Sequence, residues 1–279
     1  MSGLEESRRD WVSHGKSGGA IREWAGIIAA HRKGEAMMTR IFFRLWLAVL
    51  AGGLVGQGGM CGAAESQTAL ARLGAAGGGK ILFLGNSITR HGPKADIGWT
   101  NNCGMAATAL EKDFVHVLTA AIAKQVGKQP EMRAASLVDF ERGYASYDAA
   151  TKTQPFTDFK ADLIILAIGE NTPALANATA KTAYKENLVN LLKALKQGSN
   201  PVIFVRSCFW ANKAKDDCLR EAAAATGGVF VDISALGKDE ANYARSEQKI
   251  KHAGVANHPG DRGMQAIADA LFAALKKQK

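Results

Sequence analysis

KILFLGNSITRH, residues 80–91, is the stretch on which the fold turns. Ile81 to Leu84 form an unbroken apolar run, the pattern of a strand buried on both faces. The run stops at Gly85 and Asn86, both common in turns, and the chain at once presents the hydroxyl of Ser87. A plain turn accounts for the glycine and the asparagine. A serine set at the open end of a sheet accounts for them too, provided that a base and an oxyanion site are supplied from elsewhere.

Working outward, four more short apolar runs have strand character: MRAASLV (132–138), DLIILAIG (162–169), PVIFVRS (201–207) and GVFVDIS (228–234). Between them, residues 104–126, 182–198 and 214–228 carry apolar side chains at three- and four-residue spacing. Residues 262–279 close the chain as an amphipathic helix with lysines in its last turn. Alternation of this kind predicts an α/β protein, a three-layer α/β/α sandwich around a five-stranded parallel sheet. We expect a single domain over 80–279, preceded by a glycine-rich linker at 65–79. In such sheets ligands bind at the carboxyl ends of the strands. LGNSIT, AIGENTP and the loop KHAGVANHPGDRG before the last helix therefore fall on one rim.

GAAGGGK (74–80) imitates the start of a phosphate-binding loop, but Ile81 stands where Ser or Thr is needed and a strand follows instead of a helix. Nucleotide binding is not expected. Residues 37–64 have a basic start (Arg40, Arg44), a short apolar core and small residues around Ala64, the layout of a secretory signal peptide. The expectation is a secreted or periplasmic protein with no stable membrane span after cleavage; a retained anchor is the alternative. Residues 1–36 ahead of it are expected to be a mis-assigned extension, with translation beginning at Met37 or Met38. The segment up to residue 64 holds eight Lys and Arg against five Asp and Glu, so it carries +3 of the formal +9 and leaves +6. The remaining basic residues are scattered without an aromatic stripe, which argues against nucleic acid. Cys103, Cys208 and Cys218 lie beyond the signal; in an oxidising compartment Cys208 and Cys218 can pair. No cysteine or histidine spacing suggests a metal site.

A serine hydroxyl needs a base. Of six histidines, His14 and His31 precede the signal cleavage region and His116 lies within a helical pattern as a structural residue. His258 occupies a Pro/Gly-bounded loop on the predicted rim; His91 is four residues from Ser87 and can contact substrate. Asn171, in GEN after the third strand, can donate to an oxyanion, as can the N–H of Ser87 and a glycine N–H after the second strand. His91, Trp99, Asn101 and Asn102 can line a sugar-binding pocket, or form an ordinary surface loop. Glu170 and Arg206 also fall at strand ends, within reach of substrate.

GNSIT, GEN and HPGD in this order, each at a strand end or rim loop, resemble the SGNH, or GDSL-like, hydrolase superfamily of esterases, lipases and carbohydrate deacetylases. The resemblance covers the chain from about residue 80 onward. It implies a flavodoxin-like sandwich, Ser87 as nucleophile, His258 as base, Asn171 as oxyanion donor and Gly143 as the glycine donor, with Gly104 as runner-up. It implies no metal or organic cofactor and a small-molecule or carbohydrate ester as substrate, most plausibly an O-acetyl group. A lipase or thioesterase on longer acyl chains, or a non-catalytic carbohydrate-binding relative, remains open. Two positions depart from the family pattern. Asn86 stands where an aspartate is usual. Val255 stands three residues before the histidine, where the orienting acid belongs. Asp261 or Asp232 is the candidate substitute; a backbone carbonyl, giving a Ser–His dyad, is the other solution.

Overall fold

The computed structural model describes residues 68–278. The expected signal peptide and the extension before it lie outside the described residues. Five strands, β1 (Lys80–Gly85), β2 (Glu131–Ser136), β3 (Leu163–Ala167), β4 (Val202–Arg206) and β5 (Val229–Val231), form one sheet in the order β2-β1-β3-β4-β5. Every pairing is parallel. The strand ends differ from those expected by no more than three residues. Among the described residues the helices of six residues or more are α1 (Ala69–Ala75), α2 (Phe114–Val126), α3 (Val138–Gly143), α4 (Ala178–Leu195), α5 (Lys213–Ala225) and α6 (Asp261–Lys277).

Alternation along the central strands builds two cores. Ile81, Phe83, Leu163 and Ile165 pack with α1, α2 and α6; Leu82, Leu84, Ile164 and Leu166 pack with α3, α4 and α5. The result is the three-layer sandwich that the sequence predicts. Phe83 is fully buried and meets the Phe114 ring edge-on at a centroid distance of 6.1 Å. Truncating such a side chain to alanine costs about 3–5 kcal/mol. The chain leaves β1 toward β2 and leaves β3 toward β4, so the strand order reverses between β1 and β3. A crevice at their carboxyl ends is the usual ligand position in this architecture.

Three expectations are corrected. The segment read as a linker contains α1, capped by the Thr68 side chain, and Ala69 and Leu73 are buried in the core. Its apolar residues four apart were outweighed, in the sequence, by the glycines that follow. The helix expected from residue 104 begins only at Phe114, because Asp113 accepts from His116 N and fixes the start there. Residues 104–113 wrap beside the Ser87 turn instead. Cys208 and Cys218 do not pair, and the three cysteines among the described residues are buried and free. Cys218 faces Lys181 O at 3.6 Å, while Cys208 lies under the turn that follows β3.

Candidate active site

The Ser87 turn follows directly from β1. Thr89 N and Arg90 N both donate to Asn86 O at 2.9 Å, and Ile88 N donates to Asn86 Oδ1 at 3.1 Å. Asn86 therefore closes the turn with its own side chain, as an aspartate would. Ser87 O accepts from Met105 N at 2.8 Å, which fastens the turn to the 104–113 segment. Ser87 N–H has no partner among the described residues.

His258 arrives from the opposite end of the chain. Its Nε2 lies 2.8 Å from Ser87 Oγ, and its Nδ1 lies 2.7 Å from Gly254 O. A carbonyl only accepts, so Nδ1 carries the proton and Nε2 presents its lone pair to the serine. The local sequence explains the contact. Residues Ala253–Ala256 make one helical turn, in which Asn257 N donates to Ala253 O and His258 N to Val255 O. Gly254 O is left over at the end of that turn and the imidazole, four residues on, folds back onto it. His258 O in turn accepts from Ala244 N at 2.9 Å, and the Trp210 ring stands perpendicular to the imidazole at 5.3 Å. Burial holds the imidazole pKa below the ordinary 6.5, against the Gly254 bond and the Glu170 charge, which favour the cation.

Neither candidate acid orients His258. Asp261 accepts from Thr108 N at 2.8 Å and Thr108 Oγ1 at 2.6 Å, and lies 3.5 Å from Lys112 Nζ. Asp232 accepts from Ser234 N at 2.9 Å and Ser207 Oγ at 3.4 Å. Both carboxylates serve the scaffold. Val255, three residues before His258, is buried among apolar side chains.

Beneath the Ser87 turn lies a charged network with one member, Glu141, that no motif announced. Glu141, from α3, is fully buried. Its Oε1 accepts from Gly169 N at 2.7 Å, Asn171 N at 3.1 Å and Asn86 Nδ2 at 3.1 Å; its Oε2 accepts from Asn171 Nδ2 at 2.9 Å. Glu170 Oε2 accepts from the same Asn86 Nδ2 at 2.7 Å, and its Oε1 from Arg206 Nη1 at 2.6 Å and Phe209 N at 2.9 Å. Burial works to raise the Glu170 pKa, but Arg206 and the Phe209 and Asn86 bonds hold it below the usual carboxylate value. Burial and the neighbouring Glu170 push Glu141 up. Arg206 is fully buried, and its Nε and Nη2 have no partner among the described residues. Gly169 has φ +125°, and a Cβ there would stand 2.6 Å from Cys208 Sγ, so only glycine fits this turn. Lys215 of α5 clasps the turn by donating to Gly169 O and Thr172 O.

Asn171 thus spends one Nδ2 hydrogen on Glu141 and keeps the second. The glycine expectations fail. Gly143 ends α3, where the helical ladder takes up its N–H, and it makes no hydrogen bond with Ser87, His258 or Asn171. Gly104 N donates to Asp113 Oδ2 at 3.1 Å. Of the substrate residues, Trp99 is buried and donates to His91 O at 3.0 Å, so it supports the loop and offers no stacking face. His91 Nδ1 lies 2.6 Å from Gly92 O, and Asn102 accepts from Arg90 Nε at 3.1 Å. Asn101 is half-buried and bonds neither Ser87 nor His258. Glu170 and Arg206 are buried partners of each other and lie below the rim. Among the described residues, no cluster of three His, Cys, Asp or Glu is arranged to hold a metal ion.

The sequence reading missed Glu141, Trp210 and Gly254 O. Glu141 had a signal: it lies four residues after Leu137 and one after Phe140, on the face those buried side chains define.

No protein-family model matches the chain, and no curated protein matches it. Solved structures do. A lipase from a goat rumen metagenome is 15% identical, with TM-score 0.47, over 70% of this chain and 96% of that one. The lipase/acylhydrolase from Enterococcus faecalis is 14% identical, with TM-score 0.48, over 72% and 99%. A family two carbohydrate esterase from Cellvibrio japonicus is 17% identical, with TM-score 0.47, over 71% of this chain and 60% of its own length. These are resemblances. At such identities and TM-scores they assign neither family nor chemistry to this chain.

Proposed function

We propose that the chain is a serine esterase of the SGNH type that cleaves small acyl esters. The observation that carries this reading is the 2.8 Å contact between Ser87 Oγ and His258 Nε2, with Nδ1 fixed on a carbonyl. Ser87 Oγ attacks the acyl carbon as its proton passes to Nε2. The oxygen, now anionic, is met by Ser87 N–H and the second Asn171 Nδ2 hydrogen. The tetrahedral intermediate collapses, the alcohol leaves with the proton from Nε2, and an acyl-serine remains. Water, deprotonated by the same nitrogen, then releases the carboxylic acid and restores the hydroxyl. Throughout, the Nδ1–H bond to Gly254 O fixes the tautomer, the task an aspartate performs in a triad. Such a dyad gives up the anion that would stabilise the imidazolium directly.

Acetyl esters of carbohydrate are the substrates this reading favours, on the sequence resemblance and the expected export signal. The test is hydrolysis of p-nitrophenyl esters from acetate to long chains, together with labelling by a fluorophosphonate. Wild-type protein is expected to cleave acetate best and to be labelled at Ser87. Ser87→Ala is expected to lose at least about 10³-fold in kcat. Preference for long chains overturns the acetyl assignment. A wild-type protein that neither hydrolyses nor is labelled overturns the enzyme.

A further inference from the structure

We propose that Asn86 and Glu141 are positioning residues of this reaction: the Asn86 carboxamide clasps two buried carboxylates under the nucleophile, and Glu141 holds Asn171 toward the acyl oxygen. The inference rests on the esterase reading above. A carboxamide nitrogen has two hydrogens, and Asn86 Nδ2 has two acceptors, Glu141 Oε1 at 3.1 Å and Glu170 Oε2 at 2.7 Å. Both carboxylates are almost wholly removed from water, Glu141 fully and Glu170 with 2% of its side chain exposed. Arg206 Nη1 donates to Glu170 Oε1 and to Ser207 O, and makes no bond with Glu141. For Glu141 the neighbours are donors on every side: Asn86 Nδ2, the N–H of Gly169 and Asn171, and Asn171 Nδ2. Such a set is satisfied only by an acceptor with two oxygens, a carboxylate.

Residue 86 therefore has to be an uncharged double donor. An ionised aspartate there, the residue usual in the resembling family, would bring a third carboxylate onto the other two with no hydrogen between them. Asparagine keeps the turn through Oδ1 and bridges the acids through Nδ2, so residues 86 and 141 are matched. Glu141 also joins the two halves of the site. One of its oxygens reaches the Ser87 turn through Asn86, and both reach the turn that presents Asn171. An oxyanion forms only during reaction, so a slack Asn171 should lower kcat and leave KM in place.

Steady-state hydrolysis of p-nitrophenyl acetate by full-length wild type, Glu141→Gln, Asn86→Asp and the double variant, with thermal melts of each, tests this. Glu141→Gln turns a donor toward Asn171 Nδ2 and should lower kcat on the order of 10²-fold with KM unchanged. Asn86→Asp can work only while the acids share an extra proton. Its kcat/KM should acquire a falling alkaline limb that wild type lacks. The groups facing residue 86 and its partners are Glu141, Glu170, Arg206, His258, Lys215, Tyr184 and Cys208, and none but the new carboxyl is altered. The double variant relieves residue 86 of Glu141 but still sets its carboxyl against Glu170 Oε2, so it should keep that limb. An active wild type with Glu141→Gln equal to it, or an Asn86→Asp profile of unchanged shape, overturns the inference and leaves the esterase standing. Loss of kcat that follows loss of melting temperature in every variant, with no change of profile, also overturns it. A wild type without hydrolysis or labelling removes the reaction, and the inference with it.

Discussion

The turn that carries Ser87 and the loop that carries His258 come within 2.8 Å of each other, yet different forces fix them. The serine turn caps a central strand buried on both faces and stands on Glu141, Glu170 and Arg206, charges taken out of water. The histidine loop lies outside the sheet. Its fastenings are main-chain bonds, Ala244 N to His258 O and Gly260 N to Asn242 O, with the imidazole on a carbonyl. Buried charge concentrates under the Ser87 turn. The imidazole rests on a main-chain carbonyl, while the Glu247 carboxylate grips the N–H groups of Asp261 and Arg262 just beyond it.

That contrast can be broken in stages. Arg206→Met removes the cation from Glu170 and should destabilise the fold by about 3–5 kcal/mol, the cost of an orphaned buried charge, measured by urea unfolding. Glu170 ionises below its ordinary range in the folded state. The stabilisation is therefore present above the unfolded carboxylate pKa and fades as pH falls through the folded one. Wild-type and variant stability should converge in acid, and a constant gap across pH would contradict the ion pair. A smaller effect concerns the histidine. Its pKa is held below 6.5 by burial, and the proposed reaction uses the neutral form as base. The acid limb of kcat/KM should therefore have its midpoint below 6.5, so that activity persists in mild acid. A midpoint above that value would mean an anion lies closer to the ring than the structure places one. Smallest is Asp261→Ala. It loses the Thr108 bonds and about 1 kcal/mol of stability, while kcat stays within about twofold, as for a surface change. In a triad, removing the acid's charge costs roughly 10⁴-fold in kcat, and a loss of that order would return Asp261 to the site.

The same contrast governs what the sequence discloses. β1 and β3 are visible because strands covered on both faces need unbroken apolar runs, and Ser87 is visible because it follows one of them. His258 stands out by elimination among six histidines and by its Pro/Gly setting. What orients it has no letter of its own: a carbonyl belongs to every residue, and only the helical turn at Ala253–Ala256 makes that of Gly254 available. Glu141 sits two residues before Gly143, and a family expectation placed on the glycine drew attention from the acid. Asn86 alone reads as a turn residue; its contact with Glu141, 55 residues on, is invisible until the fold brings the two together.

The three thiols among the described residues give this part of the molecule its own record of opening. Burial and nearby carboxylates push Cys103 to about 11 and Cys208 higher still, so in the closed protein neither sulfur is a thiolate at neutral pH. Cys208 touches the space beside Gly169, Cys103 adjoins the wrap next to Ser87, and Cys218 lies on α5. An alkylating reagent should therefore capture each sulfur only when its own neighbourhood breathes, and the order of capture would map which wall of the site loosens first.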